Sequence, residues 1–153
     1  MSNMYNYQTN RPIYERPMDL ANERSLAQIA STNWRCSMSK LKAKSSFDYA
    51  ALRDQKVAAF VEMKVRTNPA NKYPSYMISI TKIIKAQQVF QALDIPVFLL
   101  VKWTDSIGFT ALHKVNATVQ IGGRKDRKDP QDIEPVALIP IDQFVMLKES
   151  QAA

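Results

Sequence analysis

The chain reads as an α/β fold with a central mixed β-sheet flanked by helices, and three observations predict it. Residues 46–66 hold two strand patterns joined by a short turn. Residues 75–93 are patterned as a long helix. That helix leads into a nearly continuous apolar run, Val97 to Trp103, of the kind seen in strands buried on both faces. The 153 residues suffice for one domain with a proper core, expected over 18–153 behind a flexible or extended arm, 1–17.

The arm is polar and tyrosine-rich, holds two prolines and shows no periodicity. Pro17-Met18-Asp19 is a helix start, with Asp19 able to cap, and the helix runs to about Ser31 or a few residues beyond. Leu20, Glu23, Ala27, Ala30 and Trp34 share one face of it, with Leu26 at the border. A carboxylate in such a stripe is costly unless paired or bound to a metal, so Glu23 either joins other carboxylates at a metal or pairs with a nearby Arg at the surface. Ser37 to Ser45 is a basic connector.

Two strands follow, Ser46 to Leu52 and Lys56 to Arg66, with Arg53-Asp54-Gln55-Lys56 as the turn. In the second strand Val57, Ala59, Val61, Met63 and Val65 make an apolar face. Ala58, Phe60, Glu62, Lys64 and Arg66 make a face that turns from apolar to charged. Asp48 in the first strand then meets Glu62 and Lys64 across the hairpin. Two carboxylates with a lysine beside them suit a divalent metal and point to phosphodiester hydrolysis. Asp54 is a spare acid, poorly placed in a turn.

Asn68 to Pro74 is a loop by its breakers, expected to be mobile. The helix over 75–93 is apolar around most of its circumference and should be well buried. Lys82 falls among Ile78, Ala86, Val89 and Leu93; it either reaches the carboxylate site or packs its stem and extends its ammonium to water. Lys85 and Gln88 lie on a more polar edge, within reach of phosphates. Residues 107–121 supply one or two strands, 136–141 another, and Asp142 to Leu147 a short helical turn. The charged segment 122–132 mixes both signs and is favoured as a solvated hairpin tip over a DNA-facing loop.

Composition narrows the chemistry. No apolar run spans a bilayer and the start lacks a signal-peptide core. A lone cysteine, Cys36, rules out an internal disulfide and fits a reducing compartment, the cytoplasm. Together with a lone histidine, His113, it leaves no zinc site and argues against histidine-dependent nuclease motifs. The net charge is +7, and residues 35–72 hold nine Lys and Arg against three acids. This concentration suits a polyanion such as DNA, with Lys40, Lys42, Lys44, Arg66 and Lys72 as contacts. A basic surface kept for solubility is the alternative, but a mere phosphate binder gains nothing from two acids facing its ligand.

The order of a helix with Glu, a strand with Asp, a strand with Glu-x-Lys, a helix with Lys and an apolar strand resembles the PD-(D/E)xK nuclease superfamily. That group includes type II restriction endonucleases, lambda exonuclease and archaeal Holliday junction resolvases. The similarity covers about Asp19 to Trp103 and is nearest to small phage-encoded and resolvase-like members. The resemblance implies a restriction-endonuclease-like core. Asp48 would be the motif aspartate, Glu62 and Lys64 the (D/E)xK pair, Glu23 the helix-borne acid and Lys82 the basic position of the next helix. Phe47 stands where the name-giving proline would be, and no Gln-x-x-x-Tyr pattern follows the motif lysine.

On this reading Asp48, Glu62, the Met63 carbonyl and Glu23 hold Mg²⁺, with Mn²⁺ able to substitute. Lys64 bonds the attacking water or a phosphate oxygen. Small members often act as dimers, which makes a junction- or branch-selective enzyme and a homodimer natural expectations, working in the host cytoplasm if the chain is phage-encoded. Two other readings stay open: a nucleic-acid-binding protein that keeps the fold without the chemistry, and a phage accessory protein that binds a host protein through its arm.

Overall fold

The turn at Asp54 and Gln55 sets the register of the molecule's central hairpin. Both residues have positive φ, 54° and 64°, as a two-residue type I′ turn requires. The flanking strands pair from Arg53 with Lys56 back to Tyr49 with Val61, with a register shift between Ala51 and Leu52. These details come from a computed structural model that describes residues 5–6, 11–12, 17–123 and 133–148.

In chain order the elements are β1 (Tyr5–Asn6), β2 (Arg11–Pro12), α1 (Pro17–Trp34), β3 (Ser37–Lys40), β4 (Tyr49–Arg53), β5 (Lys56–Val65) and β6 (Ser75–Ser79). Then come α2 (Ile80–Leu93), β7 (Val97–Lys102), β8 (Ile107–Ala111), β9 (Thr118–Gly123), β10 (Ile133–Pro140) and β11 (Val145–Met146). A mixed six-stranded sheet runs β11-β8-β7-β5-β4-β3, parallel between β5 and β7 and antiparallel elsewhere. A three-stranded antiparallel sheet runs β6-β10-β9.

Strand alternation splits the core into two layers. Ala59, Val61 and Met63 of β5 and Leu100 of β7 pack with Leu26, Ala27, Ile29 and Ala30 of α1. Val97, Leu99 and Val101 of β7 pack with Ile83 and Ala86 of α2, and with Tyr76, Ile78, Ala137 and Ile139 of the small sheet. The charged end of β5 lies on the α2 side. Burying these apolar residues stabilises the fold by roughly 1.5–3 kcal/mol per large side chain.

The structure departs from the sequence reading at several places. The first half of the expected connector is an edge strand, β3, and Asp48 precedes β4 rather than sitting within it. Residues 75–79 form a strand and not the first turns of a helix, because Tyr76 and Ile78 alternate inward with Met77 outward and Ser79 caps α2 by accepting from the Thr81 N–H. Nor is α2 buried all round: Ile84, Phe90 and Leu93 are exposed. Helix α1 begins at Pro17, a residue suited to the first helical position, so Asp19 lies inside the first turn. The expected turn at 142–147 is a single 3₁₀ turn, Ile141–Gln143, followed by β11.

Most of the expected arm, and residues 124–132 of the charged segment, fall outside the described residues. What is described of the arm is an antiparallel pairing of β1 with β2. Among the described residues no helix is long and apolar enough to cross a membrane.

Candidate functional site

Glu62 is 3% exposed, one of two buried polar residues among those described. It sits at the middle of β5, where the inward face changes from Phe60 to charge. Its Oε1 accepts from Lys82 Nζ at 3.1 Å, and its Oε2 lies 3.3 Å from Lys64 Nζ. Burial raises the Glu62 pKa above the ordinary glutamate value, and the nearby Asp48 charge raises it further, while Lys64 and Lys82 pull it down. The balance is upward.

Asp48 is fixed by backbone on both sides. Its N–H donates to the Val61 carbonyl at 3.0 Å, and its own carbonyl accepts from Leu41 N–H at 2.8 Å. Its Oδ2 accepts from the Met63 N–H at 2.8 Å. The N–H and C=O of a strand residue point to the same side. Val61 and Met63 both use the β4 side, so the Met63 carbonyl is directed to the edge where Asp48 lies.

Lys82 occupies the first turn of α2, and besides Glu62 it donates to the Ser46 carbonyl, two residues before Asp48. It therefore ties the Asp48 segment to β5. Phe47 lies beneath it, 5% exposed, stacked on Phe60 with ring centroids 6.1 Å apart and with the Lys82 ammonium 5.7 Å from its centroid. The sequence offered no signal for the Ser46 contact, which depends on where α2 docks.

The structure brings Asp48, Glu62, Lys64 and Lys82 together. Glu23 is engaged elsewhere, with Lys40 Nζ at 2.8 Å, and the Lys40 ammonium also lies 5.3 Å from the Tyr49 ring centroid. Among the described residues no three His, Cys, Asp or Glu side chains are arranged to hold a metal. The donors that do converge are two carboxylates and a carbonyl-bearing strand edge, all oxygen; Lys64 and Lys82 now hold the Glu62 oxygens, and a divalent ion would take over from them in offsetting the repulsion between the carboxylates. These donors fit a hard divalent ion such as Mg²⁺.

The expected phosphate contacts are spread around this centre. Lys42 and Lys44 are exposed in the β3–β4 connection, which Leu41 fastens to Asp48. Arg66 follows Lys64 on the same face and donates to the Tyr76 hydroxyl, whose pKa is pushed up to about 12, chiefly by burial. Lys72 lies 5.5 Å from the Tyr73 ring centroid, and Lys85 and Gln88 are exposed on α2. His113 is occupied in packing: its ring lies 4.3 Å from Phe90 and its Nδ1 meets the backbone of Val97.

The family described as "phage putative PDDEXK endonuclease" matches residues 9–147. The chain belongs to this PD-(D/E)xK family. The match extends past Trp103 and takes in β8 to β11. No curated protein matches the sequence. Among solved structures the chain is similar to Hjc of Archaeoglobus fulgidus, a Holliday junction resolvase from an archaeal hyperthermophile. The TM-score is 0.54 at 10% identity, over 86% of this chain and 95% of that one. At that identity the likeness concerns the fold: a mixed six-stranded sheet with a helix on each face.

Proposed function

We propose that this chain is a divalent-metal-dependent deoxyribonuclease that hydrolyses phosphodiester bonds in branched or junction DNA. The observation that carries the reading is the buried Glu62 carboxylate held between Lys64 and Lys82 beside Asp48. A protein that only bound phosphates would have no use for a desolvated acid at the centre of its basic face. The likeness to a junction resolvase supports the branched substrate.

Asp48, Glu62 and the Met63 carbonyl would hold Mg²⁺, or Mn²⁺ in its place, and Glu23 on α1 would join them as a further acid by exchanging its pair with Lys40 for the ion. The ion's chemistry is to lower the pKa of water and offset charge on the phosphoryl oxygens. Lys64, whose side chain is about two-fifths exposed, is free to turn from Glu62 to the attacking water or a non-bridging oxygen. Lys82 holds the Asp48 segment and Glu62 in register, acting through them. Lys40, Lys42, Lys44, Arg66, Lys72, Lys85 and Gln88 would bind the DNA backbone. A homodimer would supply two sites for the two strands to be cut at a four-armed junction, and the host cytoplasm would be the place of action.

The test is to incubate the protein with linear, single-stranded, branched and supercoiled DNA in Mg²⁺, Mn²⁺ or EDTA, beside Glu62→Ala and Lys64→Ala. Cleavage that needs metal and falls about 10²–10³-fold with Lys64→Ala is expected. Wild-type protein that binds DNA and cuts nothing in any metal would replace this reading with a nucleic-acid-binding module.

A further inference from the structure

Beyond Lys64 the charged face of β5 continues to Arg66 and opens on a pocket of about 490 Å³, within the range of small-ligand sites. Buried rings of Trp103 and Tyr76 line it, together with Tyr73 and Met77, which are 56% and 48% exposed. Arg66 lies over the Tyr76 ring, 4.9 Å from its centroid, and one of its five N–H donors goes to the Tyr76 hydroxyl. Asn68 adds an amide to the rim.

We propose that this pocket receives one unpaired nucleobase of the DNA strand, with Tyr73 as the stacking surface and Arg66 on the adjoining phosphate. Aromatic and apolar walls beside a fixed guanidinium are what a base with its phosphate requires. Lys72, held 5.5 Å from the Tyr73 centroid, places a second cation next to the same ring. A free apolar ligand would have no use for the two cations, and a phosphate alone would have none for the rings. A base locked in a duplex stack cannot enter, so the pocket selects strands that are single, frayed or branched. Arg66 stands two residues past Lys64, about 7 Å along the strand. The bound nucleotide is therefore the neighbour of the one whose phosphate meets Lys64, a placement that rests on the nuclease reading; base binding itself does not.

The experiment titrates the full chain into short single-stranded oligonucleotides carrying 2-aminopurine at successive positions, in EDTA so that no cleavage intervenes. Quenching at a restricted position is expected. Tyr73→Ala should lose it and bind about tenfold more weakly, while Tyr73→Phe keeps both. Tyr73 is exposed enough that neither change threatens the fold. Equal quenching at every position, or Tyr73→Ala indistinguishable from wild type, overturns the proposal. A parallel Mg²⁺ cleavage assay separates the two readings: position-specific quenching without cleavage upholds the pocket and counts against the nuclease alone.

Discussion

The Lys82 ammonium reaches 3.1 Å from Glu62 Oε1 while also bonding the Ser46 carbonyl, so one side chain from α2 joins both segments that supply the site's acids. Removing it leaves Glu62 buried with Lys64 as its remaining cation. Lys82→Ala is expected to lower stability by about 1–3 kcal/mol. It should also shift the acid limb of the pH–activity profile to higher pH, since Lys82 holds the Glu62 pKa down. Denaturant titration and a pH–rate series measure the two effects; an unmoved limb would detach Lys82 from the chemistry.

Glu62 has a pH signature of its own. Its folded pKa lies above the unfolded value, because burial and Asp48 outweigh the two lysines. A raised carboxylate binds its proton more tightly when folded. Its contribution to stability is therefore full below the ordinary glutamate pKa and declines as pH rises through the folded one. Glu62→Gln should flatten that decline and raise the urea midpoint at neutral pH in metal-free buffer, while abolishing metal-dependent cleavage. A Gln variant less stable than wild type at neutral pH would show that the lysine pairs dominate.

Glu23 separates structural from chemical roles. Its pair with Lys40 is partly exposed, so Glu23→Gln should cost no more than about 1 kcal/mol in thermal or denaturant unfolding. If Glu23 serves the metal site, cleavage should nonetheless fall about 10–100-fold. A rate that tracks the small stability change would leave it as the partner of Lys40.

The β4–β5 turn offers a stabilising change. Gln55 adopts φ 64°, a conformation costing a side-chain-bearing residue about 1 kcal/mol. Gln55→Gly completes an Asp-Gly turn and should raise stability by up to that amount without touching activity. A lower unfolding midpoint would mean that the Gln55 side chain contributes elsewhere.

The hairpin and its two-faced strand could be read directly, because period-2 alternation in Val57 to Arg66 is unbroken and the turn is short. The orientation of Glu62 followed from that parity; the place of Asp48 did not, since it precedes β4 and is held by backbone contacts to Leu41, Val61 and Met63. Two strands were hidden for opposite reasons. β3 has a single inward apolar residue, Met38, among Ser and Lys, so an edge strand looks like a linker. β6 is so apolar that Tyr76-Met77-Ile78 merges with the helix behind it, and the break is marked by Ser79 alone. Contacts made by docking, such as Lys82 with Ser46 or Arg66 with Tyr76, leave no trace in local pattern because each joins residues ten or more positions apart.

The alternation along β5 also decides where this chain can change length. One residue inserted or removed between the turn and Glu62 would rotate the carboxylate into the α1 layer and put an apolar side chain among the lysines. The β9–β10 hairpin carries no such parity constraint from the site. Related sequences should thus vary freely in length after Gly123 and keep the interval from Asp48 to Lys64 fixed, a pattern that a set of homologues would display as a gapless block beside a ragged one.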